Sequence, residues 1–159
     1  MSEVHTAPKV HDQMLIRAPA EEVFRAIADP AVTTRFWFSR ASGPLEAGKR
    51  VRWDWEMYGG GSDVDVRQVE PGRRIVVDWD AYGGTRIDFG FAPRSPGTTM
   101  MSIDVTGFKG PDACAHAVDA SGGFAFVLAS VKALLEHGVE LNVVPDKAPE
   151  NHVPGWTPR

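Results

Sequence analysis

The chain has 159 residues and a formal net charge of −4, with 43% hydrophobic and 24% charged residues. These values are ordinary for one globular domain, which can bury a core without disulfide support. The acidic balance offers no broad positive field for a phosphate backbone and so disfavours nucleic-acid binding. The single cysteine cannot form an intramolecular disulfide, and no uninterrupted apolar run approaches the roughly 18 residues of a membrane-spanning helix. We therefore predict a cytoplasmic protein without membrane insertion.

A polar lead-in, residues 1–9, precedes a first predicted strand over residues 10–17. Ala18-Pro19 predicts the start of a helix, because proline suits the first helical turn and the acidic pair that follows suits the helix dipole. A second short helix is predicted over residues 31–36, and it should direct Trp37 toward the core.

Four segments between residues 48 and 108 alternate apolar and charged positions with a period of two. This alternation predicts strands with one buried face and one solvated face. Glycine and proline turn signals separate the segments, as in consecutive antiparallel hairpins. The apolar positions of the buried face are Val51, Trp53, Trp55, Met57, Ile75, Val77, Trp79, Ile87, Phe89, Phe91, Met101, Ile103 and Val105.

Two of these strands end in nearly the same way, as Trp55–Gly60 and Trp79–Gly84. Two hairpins with similar rims explain the likeness better than a true repeat does. The match indicates that Tyr58 and Tyr82 lie near the mouth of whatever the sheet encloses.

A long helix is predicted over residues 117–137, with Gly138 as its stop. Its apolar residues recur at steps of three and four, so one stripe can cover a sheet face. Gly122-Gly123 should each cost about 1 kcal/mol relative to alanine, which indicates a close backbone approach, a bend or a ligand at that turn. Residues 143–159 carry four prolines and are predicted to form a surface tail, leaving 10–142 as the domain.

The titratable residues give little support for catalysis or metal binding. Asp112 and His116 could share a helix face, but no third ligand lies nearby in the sequence, so we predict neither a metal nor a cofactor. The acidic residues of the sheet occupy the solvent-facing parity, which favours a binding protein over an enzyme. An acid or histidine directed into a pocket would favour the enzyme.

Gln68 has two predicted orientations. It shares the parity of Val64 and Val66, which would direct its amide inward to orient a ligand. A bulge before Val69 would direct it outward instead. The sequence leaves both open.

Several short segments in a fixed order carry a resemblance to a known family; they are Ile16–Phe24, Phe36–Phe38, Gly43–Gly48, Val66–Trp79, Gly123-Phe124, Leu128 and Leu134–Glu136. They resemble the family named for the C-terminal domain of the activator of heat-shock protein 90 ATPase, within the START-like (SRPBCC) superfamily. The resemblance implies an α+β helix-grip fold: a curved antiparallel sheet wrapped around a long C-terminal helix, with two short helices after the first strand. It also implies a cavity between sheet and helix for lipids, sterols, polyketides or other apolar molecules.

The bulky aromatic residues could form a closed core or line a pocket, and we take the pocket as the first hypothesis. The protein would then bind an apolar, ring-containing small molecule. Alternatives are a protein-interaction module that binds a chaperone or forms a homodimer, and a cyclase-like enzyme. The predicted ligand-binding residues are Trp37, Trp53, Trp55, Val66, Gln68, Trp79, Phe89, Phe91, Met101, Phe124 and Leu128.

Overall fold

The computed structural model describes residues 6–158. The strands are β1 (Val10–Ile16), β2 (Arg40–Ala41), β3 (Arg50–Trp55), β4 (Gly60–Glu70), β5 (Arg74–Trp79), β6 (Thr85–Ser95) and β7 (Thr98–Thr106). The helices are α1 (Ala20–Ala28), α2 (Pro30–Thr33), α3 (Ala113–His137) and α4 (Val143–Lys147), with 3₁₀ turns at Glu56–Tyr58 and Pro149–Asn151. In this part of the chain the strands form one antiparallel sheet in the order β1-β7-β6-β5-β4-β3-β2. The predicted α+β helix-grip fold is confirmed.

The period-two alternation sorts the residues of the sheet as the sequence predicts. Phe89 on β6 lies opposite Ile75 on β5 and Ile103 on β7, and all three are fully buried. The face of the sheet that holds these residues packs against α1 and α3, and we call it the inner face. Charged residues at the opposite parity form ion pairs on the outer face, such as Arg74 with Asp88 at 2.6 Å.

The second short helix ends earlier than predicted. α2 spans only Pro30–Thr33, because its ends are fixed by side chains that bond to the backbone. Asp29 accepts a hydrogen bond from the Ala31 amide at 2.9 Å, and the buried Thr33 hydroxyl donates to the Ala26 carbonyl at 2.7 Å. Residues 34–36 continue as turns, and the Phe36 and Trp37 amides still donate to the Thr33 carbonyl.

The long helix begins four residues before its predicted start, at Ala113, and ends at Gly138 as predicted. The alanine-rich first turn has high helix propensity and extends the helix backward. Gly138 adopts φ 66°, the left-handed conformation that glycine tolerates at a helix C-terminus. The buried residues of α3 include Phe124, Val127, Leu128 and Val131, which face the sheet.

A polar cluster ties the C-terminal end of α3 to the end of β1. Lys132 Nζ donates to the Leu15 carbonyl at 2.9 Å and to the Glu136 carboxylate at 2.7 Å. The Arg17 amide donates to the same carboxylate at 3.0 Å. The hydrogen bond from Lys132 is the main cause that lowers the pKa of Glu136 below its ordinary value.

By length and composition, α3 is the one helix within residues 6–158 that could cross a bilayer. The sequence pattern did not predict this, because no single apolar run is long enough. The apolar residues of α3 are interrupted by small residues such as glycine and serine, and the helix is apolar only on average. Core helices of soluble proteins pass the same test, and α3 packs one face against the sheet. The property is therefore weak evidence for a membrane span.

A candidate ligand cavity between the strand ends and the long helix

A cavity of about 510 Å³ opens beside the ends of β3 and β5, under the N-terminal half of α3. Both strands are antiparallel to β4, so they run in the same direction and end at the same edge of the sheet. The volume falls within the range of about 300–1,000 Å³ that is usual for small-molecule sites. The cavity is lined by Trp37, Trp55, Tyr58, Trp79, Tyr82, Asp119, Ala120, Gly123, Phe124, Phe126, Val127, Val143, Val144, Lys147, Ala148 and Asn151.

Four aromatic side chains form the apolar wall of this cavity. The Trp37 ring lies 6.2 Å from the Trp55 ring and 5.7 Å from the Phe124 ring, measured between centroids. Trp79 lies 5.8 Å from Phe124. These edge-to-face contacts are favourable for aromatic rings, so they hold the wall in one arrangement before any ligand arrives.

Four of the eleven predicted ligand-binding residues line the cavity, namely Trp37, Trp55, Trp79 and Phe124. Six others lie in the closed core and do not reach the cavity; they are Trp53, Val66, Phe89, Phe91, Met101 and Leu128, each at most 2% exposed. The two interpretations of the aromatic pattern therefore apply to different parts of the sheet. Mid-strand positions form a solid core, and strand ends line a cavity.

Trp53 and Trp55 show this division within one strand. Both point to the inner face, but Trp53 is 1% exposed and stacks on Phe38 with centroids 4.9 Å apart. Trp55 lies two residues further along, where the cavity begins, and its ring lines the cavity. Trp53 supports the wall from behind because its ring also lies 4.9 Å from Trp37.

Gln68 points to the outer face. The register between β4 and β5 shifts between Val66 and Gln68, so the extra residue turns the strand as a bulge does. The Gln68 amide donates to Glu70 at 3.0 Å and pairs across the sheet with Val76, outside the cavity. Of its two predicted orientations, the outward one is correct.

The glycine pair of α3 leaves open space over one turn of the helix. The helix continues through both residues, and apart from its own backbone no described atom would lie within 4 Å of a Cβ added at either one. The close backbone approach that the pair could have indicated is therefore absent. Gly123 lines the cavity and Gly122 does not. A side chain at 123 would occupy volume that is now empty.

Residues 143–158 run along the cavity mouth, and we call them the C-terminal strap. The Tyr58 hydroxyl donates to the Val144 carbonyl at 2.5 Å, and the Val153 amide donates to the Met57 carbonyl at 2.8 Å. These bonds join the strap to the turn after β3. Burial raises the pKa of Tyr58 above its ordinary value, which keeps the hydroxyl a donor. The predicted surface tail thus lies on the surface and closes one side of the cavity.

The strap also brings a cation to the cavity, the one Lys or Arg among the described residues that line it. Lys147 Nζ lies 5.4 Å from the centre of the Phe126 ring, within the range of a cation–π contact. Phe126 is 39% exposed and reaches the cavity from α3. Strap and helix therefore meet at the mouth through this pair.

Asp119 on α3 is the one carboxylate among the described residues that line the cavity, and the sequence pattern did not predict it. The Tyr82 hydroxyl, on the turn after β5, donates to its Oδ2. Burial, and then this hydrogen bond, raises the pKa of Tyr82 above its ordinary value. A signal was present in the sequence: Asp119 is the one Asp, Glu, Lys or Arg between Ala113 and Val131.

The matching strand ends placed Tyr58 and Tyr82 correctly, since both line the cavity. Asp119 enters from the helix rather than from the sheet, so the parity argument that excluded inward acids did not cover it. An acid in a pocket was the feature that would favour an enzyme, and Asp119 supplies one by lining the cavity. Within residues 6–158 no three His, Cys, Asp or Glu side chains lie close enough to hold a metal ion.

A second cleft of about 640 Å³ lies on the outer face and is lined mainly by charged residues. Asp78 accepts hydrogen bonds from Arg86 at 2.8 Å and Arg67 at 2.5 Å. The bond from Arg86 is the largest cause that lowers the pKa of Asp78. Because these side chains satisfy one another, the cleft is a poorer candidate for an apolar ligand.

Comparisons with known proteins agree with this architecture. The protein SSP2350 from Staphylococcus saprophyticus is 27% identical, with a TM-score of 0.75 over 85% of this chain and 96% of that one. The Aha1 dimer from Colwellia psychrerythraea is 21% identical, with a TM-score of 0.71 over 82% and 98%. DynU16, from the dynemicin biosynthetic locus, is 21% identical, with a TM-score of 0.67 over 83% of this chain and 48% of that one.

The search among curated proteins returned no match. One family model, described as Activator of Hsp90 ATPase homolog 1-like protein, matches residues 17–136, which is most of the chain. The predicted resemblance is therefore confirmed. The chain belongs to the Activator of Hsp90 ATPase homolog 1-like family, with the START-like fold of that group.

Proposed function

We propose that this protein binds an apolar, ring-containing small molecule in the cavity between the strand ends and α3. The observation that carries the proposal is the aromatic wall of Trp37, Trp55, Trp79 and Phe124 around about 510 Å³ of empty space. Flat rings pack favourably against such a wall, and a ligand that fits would bury apolar area at roughly 25 cal/mol per Å².

Two further features support a ligand in this place. Gly123 keeps the helix wall bare at a cost of about 1 kcal/mol in helix propensity, which favours a function for the space it leaves. The C-terminal strap covers one side through Tyr58 and Val153 and would shield a bound ring from water. DynU16, which has the same fold, is a protein of the dynemicin biosynthetic locus. The compartment we propose is the cytoplasm.

Native mass spectrometry of freshly purified protein tests the proposal, together with tryptophan fluorescence titrated with fatty acids, sterols, flavonoids and polyketides. We expect a copurified mass or a saturable fluorescence change, lost in Gly123→Leu and kept in Gly122→Leu. Unchanged fluorescence across the panel, with no copurified mass, would refute it. A ligand recovered with altered mass after incubation would instead indicate an enzyme, for which Asp119 is the candidate acid.

A second candidate is a homodimer formed through the outer side of α3. Val118 is 74% exposed there and gives the outer side of the helix an apolar contact that a partner could cover. The related Colwellia protein was solved as a dimer. Light scattering should give a dimer for the native chain and a monomer for Val118→Lys. Val139→Lys, at a 47% exposed position beyond the helix, is the matched control. A monomeric native chain would refute this candidate.

A further inference from the structure

The cavity has a polar end, made by Asp119 and Tyr82, that the apolar proposal does not explain. Asp119 lies one helical turn before Gly123, so its carboxylate and the bare turn share one side of α3. Asp119 and Tyr82 both line the cavity beside the aromatic wall. The centroid of the Tyr82 ring lies 5.7 Å from that of the Trp79 ring. A ring resting against Trp79 and Phe124 therefore has this polar end as its neighbour.

The Tyr82 side chain is held in place by unusual local structure. Its backbone adopts φ 57°, which costs a non-glycine residue about 1–2 kcal/mol. The next two residues, Gly83 and Gly84, also have positive φ and complete a turn that carries the ring over α3. There it packs 5.2 Å from the His116 ring. Strain of this kind tends to occur at functional sites, and here it positions one hydroxyl.

The hydrogen-bonding capacity of the pair is only partly used. A carboxylate can accept about four hydrogen bonds, and Asp119 accepts one, from Tyr82, on Oδ2. No other described residue donates to Asp119, which is exposed to solvent where it lines the cavity, so Oδ1 can accept a hydrogen bond from a ligand in place of water. The raised pKa of Tyr82 keeps its hydroxyl protonated, so it holds the carboxylate in a fixed orientation.

Ligands of three kinds differ in how they meet this end. A hydrocarbon or ether leaves Asp119 without a new partner, and a carboxylate meets a like charge. A hydroxyl or amine donates to Oδ1 and gains a charge-assisted hydrogen bond. Lys147 at the mouth could attract an acid, but its ammonium already rests over the Phe126 ring.

The geometry points to a ligand whose ring system carries a hydrogen-bond donor, a hydroxyl or an amine, that donates to Asp119. This inference rests on the proposed function, because it requires that a ring occupies the cavity. It narrows the ligand from any apolar molecule to a phenol-like or amine-bearing aromatic compound.

Three probes of similar size test the inference by fluorescence titration: 2-naphthol, 2-methoxynaphthalene and 2-naphthoate. We expect 2-naphthol to bind about tenfold more tightly than the methoxy compound, as one hydrogen bond to a charged group would give. Asp119→Ala should reduce the affinity for 2-naphthol to that of 2-methoxynaphthalene and leave the latter unchanged. Asp112→Ala, at the exposed start of the same helix, should change neither.

Equal binding of 2-naphthol and 2-methoxynaphthalene by the native chain would overturn the inference and leave the cavity proposal intact. Tightest binding of 2-naphthoate would overturn it as well, since Lys147 would then dominate recognition. Failure of every probe to bind would overturn the inference, and the broader panel and native mass spectrometry then decide whether the proposed function stands. Loss of all binding in Gly123→Leu separates cavity binding from binding elsewhere on the surface. Retention of tenfold selectivity in Asp119→Ala would also overturn it.

Discussion

The adjacent glycines of α3 allow stability and binding to be separated by substitution. No described atom outside the helix's own backbone would lie within 4 Å of a Cβ at Gly122 or Gly123. Alanine should therefore gain helix propensity without a clash, and each Gly→Ala change should raise the free energy of unfolding by about 1 kcal/mol. For a chain of this size that corresponds to a rise in Tm of about 2–4 °C. The two gains should add, because neighbouring residues on a helix do not face each other.

Leucine extends the same comparison to ligand binding. Leucine has nearly the helix propensity of alanine, so Gly122→Leu and Gly123→Leu should both retain most of the stability gain. Gly123→Leu places a branched side chain in the cavity, where it would occupy the volume that the ligand needs, so we expect binding to be lost. Gly122→Leu should bind as the native chain does. Circular dichroism melts and fluorescence titration measure the two effects.

Two outcomes would refute this reasoning about the glycines. If Gly123→Ala destabilised the chain, the glycine would be needed for packing and the open space would not exist. If Gly122→Leu and Gly123→Leu weakened binding equally, the ligand would contact the outer side of the helix or lie elsewhere.

Three further predictions concern stability. Glu136→Gln should lower the free energy of unfolding by about 1.5–3 kcal/mol, because Lys132 loses a charged partner. Because the pKa of Glu136 is lowered, its contribution to the free energy of unfolding is present above about pH 4.3 and is lost as the pH falls below that value. The free energies of unfolding of the native chain and of Glu136→Gln, measured in urea, should therefore converge in acid. Tyr58 and Tyr82 have raised pKa values, so their stabilisation is present below about pH 10 and lost above it. Absorbance titration should show both ionising later than free tyrosine, and ordinary titration of Tyr82 would contradict its partial burial and its hydrogen bond to Asp119. Trp53→Ala should cost about 3–5 kcal/mol in thermal unfolding, and a cost under 1 kcal/mol would contradict its place in the core.

The alternation of apolar and charged residues was sufficient to predict the sheet and its inner face. It could not separate Trp53 from Trp55, because both have the same parity and differ only in what lies above them. That difference depends on where α3 crosses the sheet and on Gly123, which are tertiary features. The rim was partly predictable, since the repeated strand ends placed Tyr58 and Tyr82 at the cavity.

The remaining parts of the site come from contacts between distant residues. The C-terminal strap has no periodic pattern, and it is positioned by the bond from Tyr58 to Val144, which are 86 residues apart. Asp119 lies on a helix whose pattern indicated core packing, so its side chain was not considered with the acids of the sheet. Its isolation among apolar neighbours was the available signal. Gln68 shows the limit of parity itself, because one bulge reverses it.

The tryptophan indole resonances give the most direct test of a cavity at the strand ends above a closed core. The chain has five tryptophans, which NMR of ¹⁵N-labelled protein resolves as five indole N–H signals, assigned by single Trp→Phe variants. On addition of 2-naphthol, we predict that the signals of Trp37, Trp55 and Trp79 move and that the Trp53 signal moves least. A shift confined to Trp53 or Trp156, or no shift at saturating probe, would contradict the account.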